Sequence, residues 1–472
     1  MRPISEDSIK NKIKLLNPHW ESGDVESDLR KDKKRKYFDL FYPLVISKVQ
    51  RAVILMGPRR VGKTVVLWQT IQTLLESGKS PEKILYLSLD VPLLHPYSLE
   101  QLLDLYKEIF KLNNLKGTVI MFDEIQYLKN WDVQLKVLVD THKKTKFIAS
   151  GSAASALKRK SDESGAGRFT DFMLPALTFY EYLDLLNLTD LVKKDIKKLN
   201  QQFINYLNYG GFPEAIFSKE IQKNPKRFIR GDIIDKVLLR DLPSLYGIQD
   251  TQELNRLFNA LAYQTGNEVT YEGLSKASGI AKNTIKRYIE YLEAAFLIRT
   301  IKRVDDSGKR FKRTNYFKVY LTNPSMYPAI YGLVSEEDTE TIGHLVETAI
   351  FSQWGHSPDS MDLVYYARWK GGKGEVDLVV APNNLPLYCL EVKWSDLSVD
   401  RPEELKSLLH FCKQNNLTEA LVTTKTMKSQ RQYGGITFNF EPSSAFCYMI
   451  GHNVIAMKSK GKQKKTPSNI TK

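Results

Sequence analysis

The stretch GPRRVGKT, Gly57–Thr64, constrains this chain more than any other. It fits the pattern G-x-x-x-x-G-K-[ST] in full and lies between the apolar run RAVILM and the amphipathic run TVVLWQTIQTLL. A strand, a glycine-rich turn and a helix in that order make a phosphate cradle, because turn N–H groups and the helix N-terminus both favour negative charge. Gly57, Pro58, Arg59, Arg60, Val61, Gly62, Lys63 and Thr64 are therefore the expected nucleotide-binding set. Gly57 and Gly62 permit the backbone shapes that aim N–H groups at phosphate. Lys63 is placed to reach the β- and γ-phosphates, and the Thr64 hydroxyl to ligate Mg²⁺. ATP and Mg²⁺ are the expected cofactors.

VIMFDE, Val119–Glu124, supplies the complementary half. Four apolar residues predict a buried strand, with Asp123 emerging at its C-terminal end to hold the metal and Glu124 placed to accept a proton from attacking water. The next apolar run, KTKFIASGS, brings Ser150 and Ser152 to the same sheet edge. Each is a candidate for contacting the γ-phosphate or orienting water, and equally a turn cap. Arg168 is either a phosphate-sensing arginine, donated within the chain or to a neighbouring subunit, or a solvated loop arginine. Short apolar runs alternating with helical patterns between about residues 51 and 180 predict a parallel sheet with crossover helices.

At 472 residues the chain is long enough for two to four domains. The expected order is a basic, helical N-terminal segment (1–50), the α/β domain (51–180), a helical lid or linker (181–251), a three-helix module with a basic hairpin (252–325), a small mixed α/β domain (340–456) and a basic tail (457–472). The N-terminus lacks the pattern of a secretory signal, and no apolar run is long enough for a membrane span. Cys389, Cys412 and Cys447 are the only cysteines and lack metal spacing, which predicts a reducing, cytoplasmic setting. The net charge of +15 invites a nucleic-acid partner. Six lysines of the tail account for part of it, and the remainder stays basic.

Residues 252–300 read as helix, short helix, turn and longer helix, with Ile285, Ile289, Leu292 and Phe296 as one buried face of the last. Lys282, Asn283, Lys286 and Arg287 fall in its first turns, where a recognition helix presents side chains to the major groove. The hairpin from Arg299 to Lys318 holds eight Lys/Arg, Lys309, Arg310, Lys312 and Arg313 among them, against two Asp. This predicts a winged helix whose helix and wing meet duplex or structured DNA. The competing reading is a protein-docking or lid module with a solvated basic face.

Toward the C-terminus, GEVDLVV and YCLEVKW place Asp377 on one strand and Glu391 and Lys393 on the next. Residues two apart on a strand share a face, so Glu391 and Lys393 are expected to point together. With Glu347 on the preceding helix, the set resembles the PD-(D/E)xK nuclease core. Its carboxylates Glu347, Asp377 and Glu391 would hold Mg²⁺, and Lys393 would orient water or stabilise charge. A live nuclease and a retained but inert fold both remain open.

NPHW, GPRRVGKT, ILYLSLD, VIMFDEIQ, FIASGS, GAGR and LPALTFYEYL resemble the AAA-type domain of a bacterial and archaeal family of predicted ATPases, whose members usually carry a C-terminal domain of unknown function. The resemblance continues through GGFPEA, the three-helix region and GEVDLVV…LEVKW, and so covers nearly the whole chain. It implies a five-stranded sheet with the P-loop strand central, and ring or dimer assembly. The combined expectation is an AAA-type ATPase that engages DNA through its C-terminal parts. The rival readings are an ATP-gated, metal-dependent endonuclease and an ATP-driven docking regulator.

Overall fold

Strands apolar along their whole length must be covered on both faces, and three runs in the first third of the chain meet that condition. In the computed structural model, which describes residues 5–152, 167–310, 315–357, 361–369 and 373–459, they form β1 (Ala52–Gly57), β2 (Ile84–Ser88) and β3 (Val119–Asp123). With β4 (Lys146–Ser152) and β5 (Phe169–Met173) they make a parallel five-stranded sheet in the order β2-β3-β4-β1-β5. The α/β expectation is met. The P-loop strand β1 is interior, but the middle position belongs to β4.

The chain divides into two compact units, Met1–Pro175 and Ala176–Lys472. The N-terminal residues are part of the first unit's core and not a separate segment. Ile9 and Ile13, on the helix Glu6–Leu15, are buried in the same apolar cluster as Leu85, Leu87, Ile120 and Phe122. The motif NPHW covers the exposed edge of β2. Asn17 accepts from the Tyr86 N–H at 2.7 Å and donates to the Tyr86 carbonyl at 2.8 Å, while Trp20 Nε1 donates to the Ile84 carbonyl at 2.7 Å. Side chains thus do there what a sixth strand would do.

The second unit carries a nine-stranded mixed sheet. Its strands are β6 (Glu268–Thr270), β7 (Ile298–Val304), β8 (Tyr316–Leu321), β9 (Val364–Trp369), β10 (Gly374–Val380), β11 (Tyr388–Glu391), β12 (Glu419–Thr424), β13 (Ser429–Tyr433) and β14 (Ile436–Pro442). The order is β13-β14-β12-β11-β10-β9-β7-β8-β6. The parallel pairing of β7 with β9 carries one sheet across the boundary expected between residues 325 and 340.

The helices Thr251–Tyr263, Tyr271–Ser278 and Lys282–Ala294 form where the periodicity predicts them. The Gly279 turn has φ 75°, which suits glycine. Ile285, Ile289 and Leu292 are buried as expected, but Phe296 lies past the helix end with φ 57°.

Candidate functional sites

The P-loop sits between β1 and the helix Lys63–Glu76. Gly62, at φ 93°, occupies the left-handed region just before that helix, as the loop geometry needs. Gly57 is required for a different reason from the one expected. A Cβ there would lie 2.0 Å from the Leu174 carbonyl oxygen, so the chain after β5 fixes this position. Lys63 is buried, and its ammonium donates to the carbonyls of Gly57 and Pro58 at 3.1 and 2.9 Å. Arg35 belongs to the basic N-terminal segment. It is buried and donates to the carbonyls of Val61 and Pro175 at 3.0 and 2.7 Å, pinning the loop from outside.

Asp123 ends β3 with 1% exposure. The Thr64 hydroxyl donates to its Oδ2 at 2.8 Å, and so does the Tyr86 hydroxyl at 2.8 Å. Ser150 donates to its Oδ1, and the Glu124 N–H lies 3.2 Å from the same oxygen. Burial, followed by the neighbouring Asp123 charge, pushes the Tyr86 phenol well above its ordinary value, so it stays a donor. Every side-chain partner of Asp123 given by the described residues is a neutral hydroxyl. Glu124 follows in the left-handed region at φ 54°, with Gln126 Nε2 bonded to its Oε2. Such a conformation in a non-glycine residue is costly and holds the carboxylate beside the strand end. Tyr86 and Gln126 were not singled out from the sequence. Tyr86 was legible only as one more apolar residue of ILYLS.

Thr64, Asp123, Glu124 and Ser150 are thus brought together. Ser152 ends β4, with its main chain paired to Gly57. Arg168 is placed elsewhere. It precedes β5, pairs with Asp140 at 3.2 Å, and has its carbonyl bonded to the Ala52 N–H at the start of β1. That is the end of the sheet opposite the P-loop, roughly 16 Å away at about 3.3 Å per residue. A phosphate-sensing role in this chain's own site does not fit that placement. An adjacent hydroxyl and carboxylate are hard oxygen donors of the kind Mg²⁺ takes, so Thr64 and Asp123 fit that ion.

The C-terminal constellation is also brought together, with two members the sequence reading left out. Asp377 Oδ2 accepts from the Val392 N–H at 2.8 Å, and Lys393 Nζ lies 2.8 Å from Glu391 Oε1. β11 stops at Glu391, so Lys393 lies just beyond the strand and not on it. A register shift between Val376 and Val379 puts a bulge at Asp377, on the strand facing β9. The omitted members are Glu375 and Lys318. Lys318 was expected among the solvated cations of the wing, yet it is 2% exposed. Its ammonium lies 3.0 Å from Glu347 Oε1, 2.8 Å from Glu375 Oε1 and 3.7 Å from Asp377 Oδ1. Burial alone would lower its pKa, but Glu347, Asp377 and Glu375 together raise it. Burial, followed by the Asp377 charge, pushes Glu391 up to about 8. Among the described residues no three acidic, histidine or cysteine side chains are disposed to hold a metal ion. With the Lys318 ammonium among them, the donors expected for Mg²⁺ in this centre do not fit that ion as they stand.

Of the expected DNA-contacting residues, Asn283, Lys286 and Arg287 are exposed on the first turns of their helix, while Lys282 is ion-paired with Glu272. Lys286 also lies over the Tyr271 ring at 5.4 Å. Lys309 and Arg310 are exposed, and Arg310 lies 4.7 Å from the Tyr365 ring. Lys312 and Arg313 lie outside the described residues, as does most of the basic tail. No helix among the described residues is long and apolar enough to cross a membrane.

Residues 49–183 match the family model of an AAA domain, and residues 200–337 match that of a domain of unknown function. The first match, with the sheet and loop above, makes the N-terminal unit a P-loop fold of AAA type. Similar curated proteins include an uncharacterized protein of Methanocaldococcus jannaschii, 27% identical over 64% of this chain and 68% of that one. An uncharacterized protein of Haemophilus influenzae is 28% identical over 56% of this chain and 66% of its own length. The chain therefore spans about two thirds of these relatives. Among solved structures, a Walker-type ATPase of Pyrococcus abyssi aligns with TM-score 0.40 at 14% identity, over 65% of this chain and 99% of that one.

Proposed function

We propose that the N-terminal unit binds and hydrolyses ATP. The observation that carries this is the placement of Asp123, buried at a strand end against the Thr64 hydroxyl with neutral partners alone, directly beside a complete P-loop. A buried carboxylate without a cation is costly, and a metal-bound triphosphate removes that cost. Thr64 and Asp123 would hold Mg²⁺, which supplies charge neutralisation at the β- and γ-phosphates. Lys63 would leave the loop carbonyls for phosphate oxygens. Glu124 would take the proton of the attacking water, with Gln126 and the backbone strain keeping its carboxylate in place. Ser150 holds Asp123 and, through the Glu124 N–H at 3.2 Å, the residue after it, which makes it a positioning residue.

Lys63→Ala should abolish nucleotide binding, read by calorimetry with ATP. Glu124→Gln should retain binding and lose turnover. Hydrolysis by Glu124→Gln at the wild-type rate would remove Glu124 from the role of base.

The second unit supports DNA engagement as the process that ATP serves. Helix, β6, two helices and the β7–β8 hairpin, with β8 between β7 and β6, follow the order of a winged helix and leave Lys286 and Arg287 outward. The helix Thr339–Trp354, β9, β10, β11, the helix Lys406–Gln414 and a parallel β12 follow the order of a PD-(D/E)xK core. Charge reversal at Lys286 and Arg287 should weaken duplex binding several-fold and reduce its salt dependence. If the wild-type protein binds no duplex at low salt, the protein-docking reading replaces this one. Mg²⁺- or Mn²⁺-dependent nicking lost in Asp377→Ala would favour the endonuclease reading.

A further inference from the structure

We infer that the cation of the Glu347–Asp377–Glu391 centre is the chain's own Lys318, and that in its native state this centre excludes divalent metal. The inference stands on the second unit alone and does not depend on ATP hydrolysis. Lys318 reaches the centre from β8, the hairpin strand, while Glu347 comes from the helix Thr339–Trp354 and Glu375 and Asp377 from β10. Glu375 and Asp377 both face the ammonium. Two carboxylate oxygens sit at hydrogen-bonding distance from Nζ, and a third lies 3.7 Å away.

The remaining charges are answered in part from within, while Glu391 Oε2 is buried without a hydrogen-bond partner among the described residues. Arg368 Nε lies 3.5 Å from Glu375 Oε2, and Lys393 pairs with Glu391. Tyr320 donates its hydroxyl to the same Glu347 oxygen that faces Lys318. Four carboxylates thus meet three basic groups in one cluster. A Mg²⁺ ion needs oxygens at about 2.0–2.1 Å in octahedral array and keeps several waters. Here the oxygens converge on a nitrogen, and the space between them is already filled by an ammonium with 3% side-chain exposure. A divalent ion among these oxygens would stand within a few ångströms of a buried positive charge. It can enter only if the Lys318 ammonium withdraws from these oxygens.

The consequence is a nuclease-like fold whose constellation works as an ion cluster, fastening the basic hairpin to the carboxylate strands. Phosphodiester cleavage by this centre is then absent.

The test is Mn²⁺ titration of the full chain, followed by the electron paramagnetic resonance of free Mn²⁺. An Asp123→Ala background silences the N-terminal site. Lys318 intact, the protein should take up no Mn²⁺ that depends on Asp377, so adding Asp377→Asn should change nothing. Lys318→Met should gain about one equivalent, lost again when Asp377→Asn is added, and Mn²⁺ should raise its melting temperature. The Lys318→Met/Glu347→Gln pair carries less uncompensated charge and should also take up Mn²⁺, through Glu375, Asp377 and Glu391. Asp377-dependent uptake with Lys318 present overturns the inference, as does a folded Lys318→Met protein that binds none. Should neither Lys318 variant fold, the titration with and without Asp377→Asn in the Lys318-intact protein decides alone, equal uptake supporting the inference and lower uptake in the variant overturning it.

Discussion

The two acidic centres of this protein use the same residue types to opposite ends. Asp123 is surrounded by hydroxyls of Thr64, Tyr86 and Ser150, which orient its oxygens without neutralising them. The cluster around Asp377 carries its own ammonium groups, Lys318 and Lys393, at ion-pair distance. Carboxylates at strand ends are therefore not in themselves evidence of a metal site. What separates the cases is whether the neighbours leave the negative charge for an external cation or satisfy it within the fold. The first arrangement puts stability at the service of a ligand. The second spends its electrostatics on holding elements together.

That contrast predicts effects of different kinds. Lys318→Met should cost about 3–5 kcal/mol of stability in the second unit, since it leaves Glu347 and Asp377 without a counter-charge. Denaturant unfolding followed by hydrogen exchange in β8 and β10 would read it, and a loss below about 1 kcal/mol would break the contrast. Asp123→Ala should act the other way, lowering ATP turnover by roughly 100-fold while leaving the melting temperature near wild type, because it removes a charge that the apo fold does not neutralise.

The pH axis sharpens the difference between the units. His19 is fully buried, and its Nε2 lies 3.2 Å from the Ile84 carbonyl, while its Nδ1 has no partner. Burial therefore holds the ring neutral, with its pKa lowered from 6.5 to about 4. A depressed histidine gives stability that is present above pH 6.5 and is lost as pH falls toward 4. Between pH 7 and 5 the loss should be about 2 kcal/mol, confined to the first unit. His19→Asn keeps a donor near the carbonyl and should flatten that slope; an unchanged slope would place its origin elsewhere. The smallest effect should come from Tyr86→Phe, which removes one donor from Asp123 Oδ2. A drop of about 1 kcal/mol or less in stability and a few-fold change in turnover are expected, read by thermal melts and steady-state hydrolysis.

How much of this was legible in the sequence follows the same division. The P-loop, Asp123 and Glu124 were readable because they are contiguous motifs between an apolar strand and an amphipathic helix, where local pattern and chemistry coincide. Ser150 came with them as the end of the next strand. Asp377, Glu391 and Lys393 were readable as a set because adjacent strands put them near one another. Lys318 was not, because nothing local distinguishes it from the seven other basic residues of its hairpin. Its meaning comes from a sheet pairing, β7 with β9, between residues more than sixty positions apart. Arg168, left open between a phosphate-sensing and a loop arginine, could not be placed from the sequence for a related reason. Proximity in sequence to a phosphate-binding domain says nothing about which end of a parallel sheet a residue occupies, and β5 runs so that Arg168 starts at the far end. Arg35, in turn, could not be picked out because its carbonyl partners lie 26 and 140 residues away.

The side-chain seal along β2 has a consequence for how this unit is made. A protein trimmed to its sheet and phosphate loop, beginning near residue 49, would lack Asn17, His19 and Trp20, and with them the partners of the Tyr86 N–H and of two strand carbonyls. It would also lose Ile9 and Ile13 from the apolar cluster. The open strand would then offer itself to β2 of another copy, and such a fragment should come out of synthesis as aggregate. The first twenty residues emerge from the ribosome long before the strand they protect, so they must wait for it.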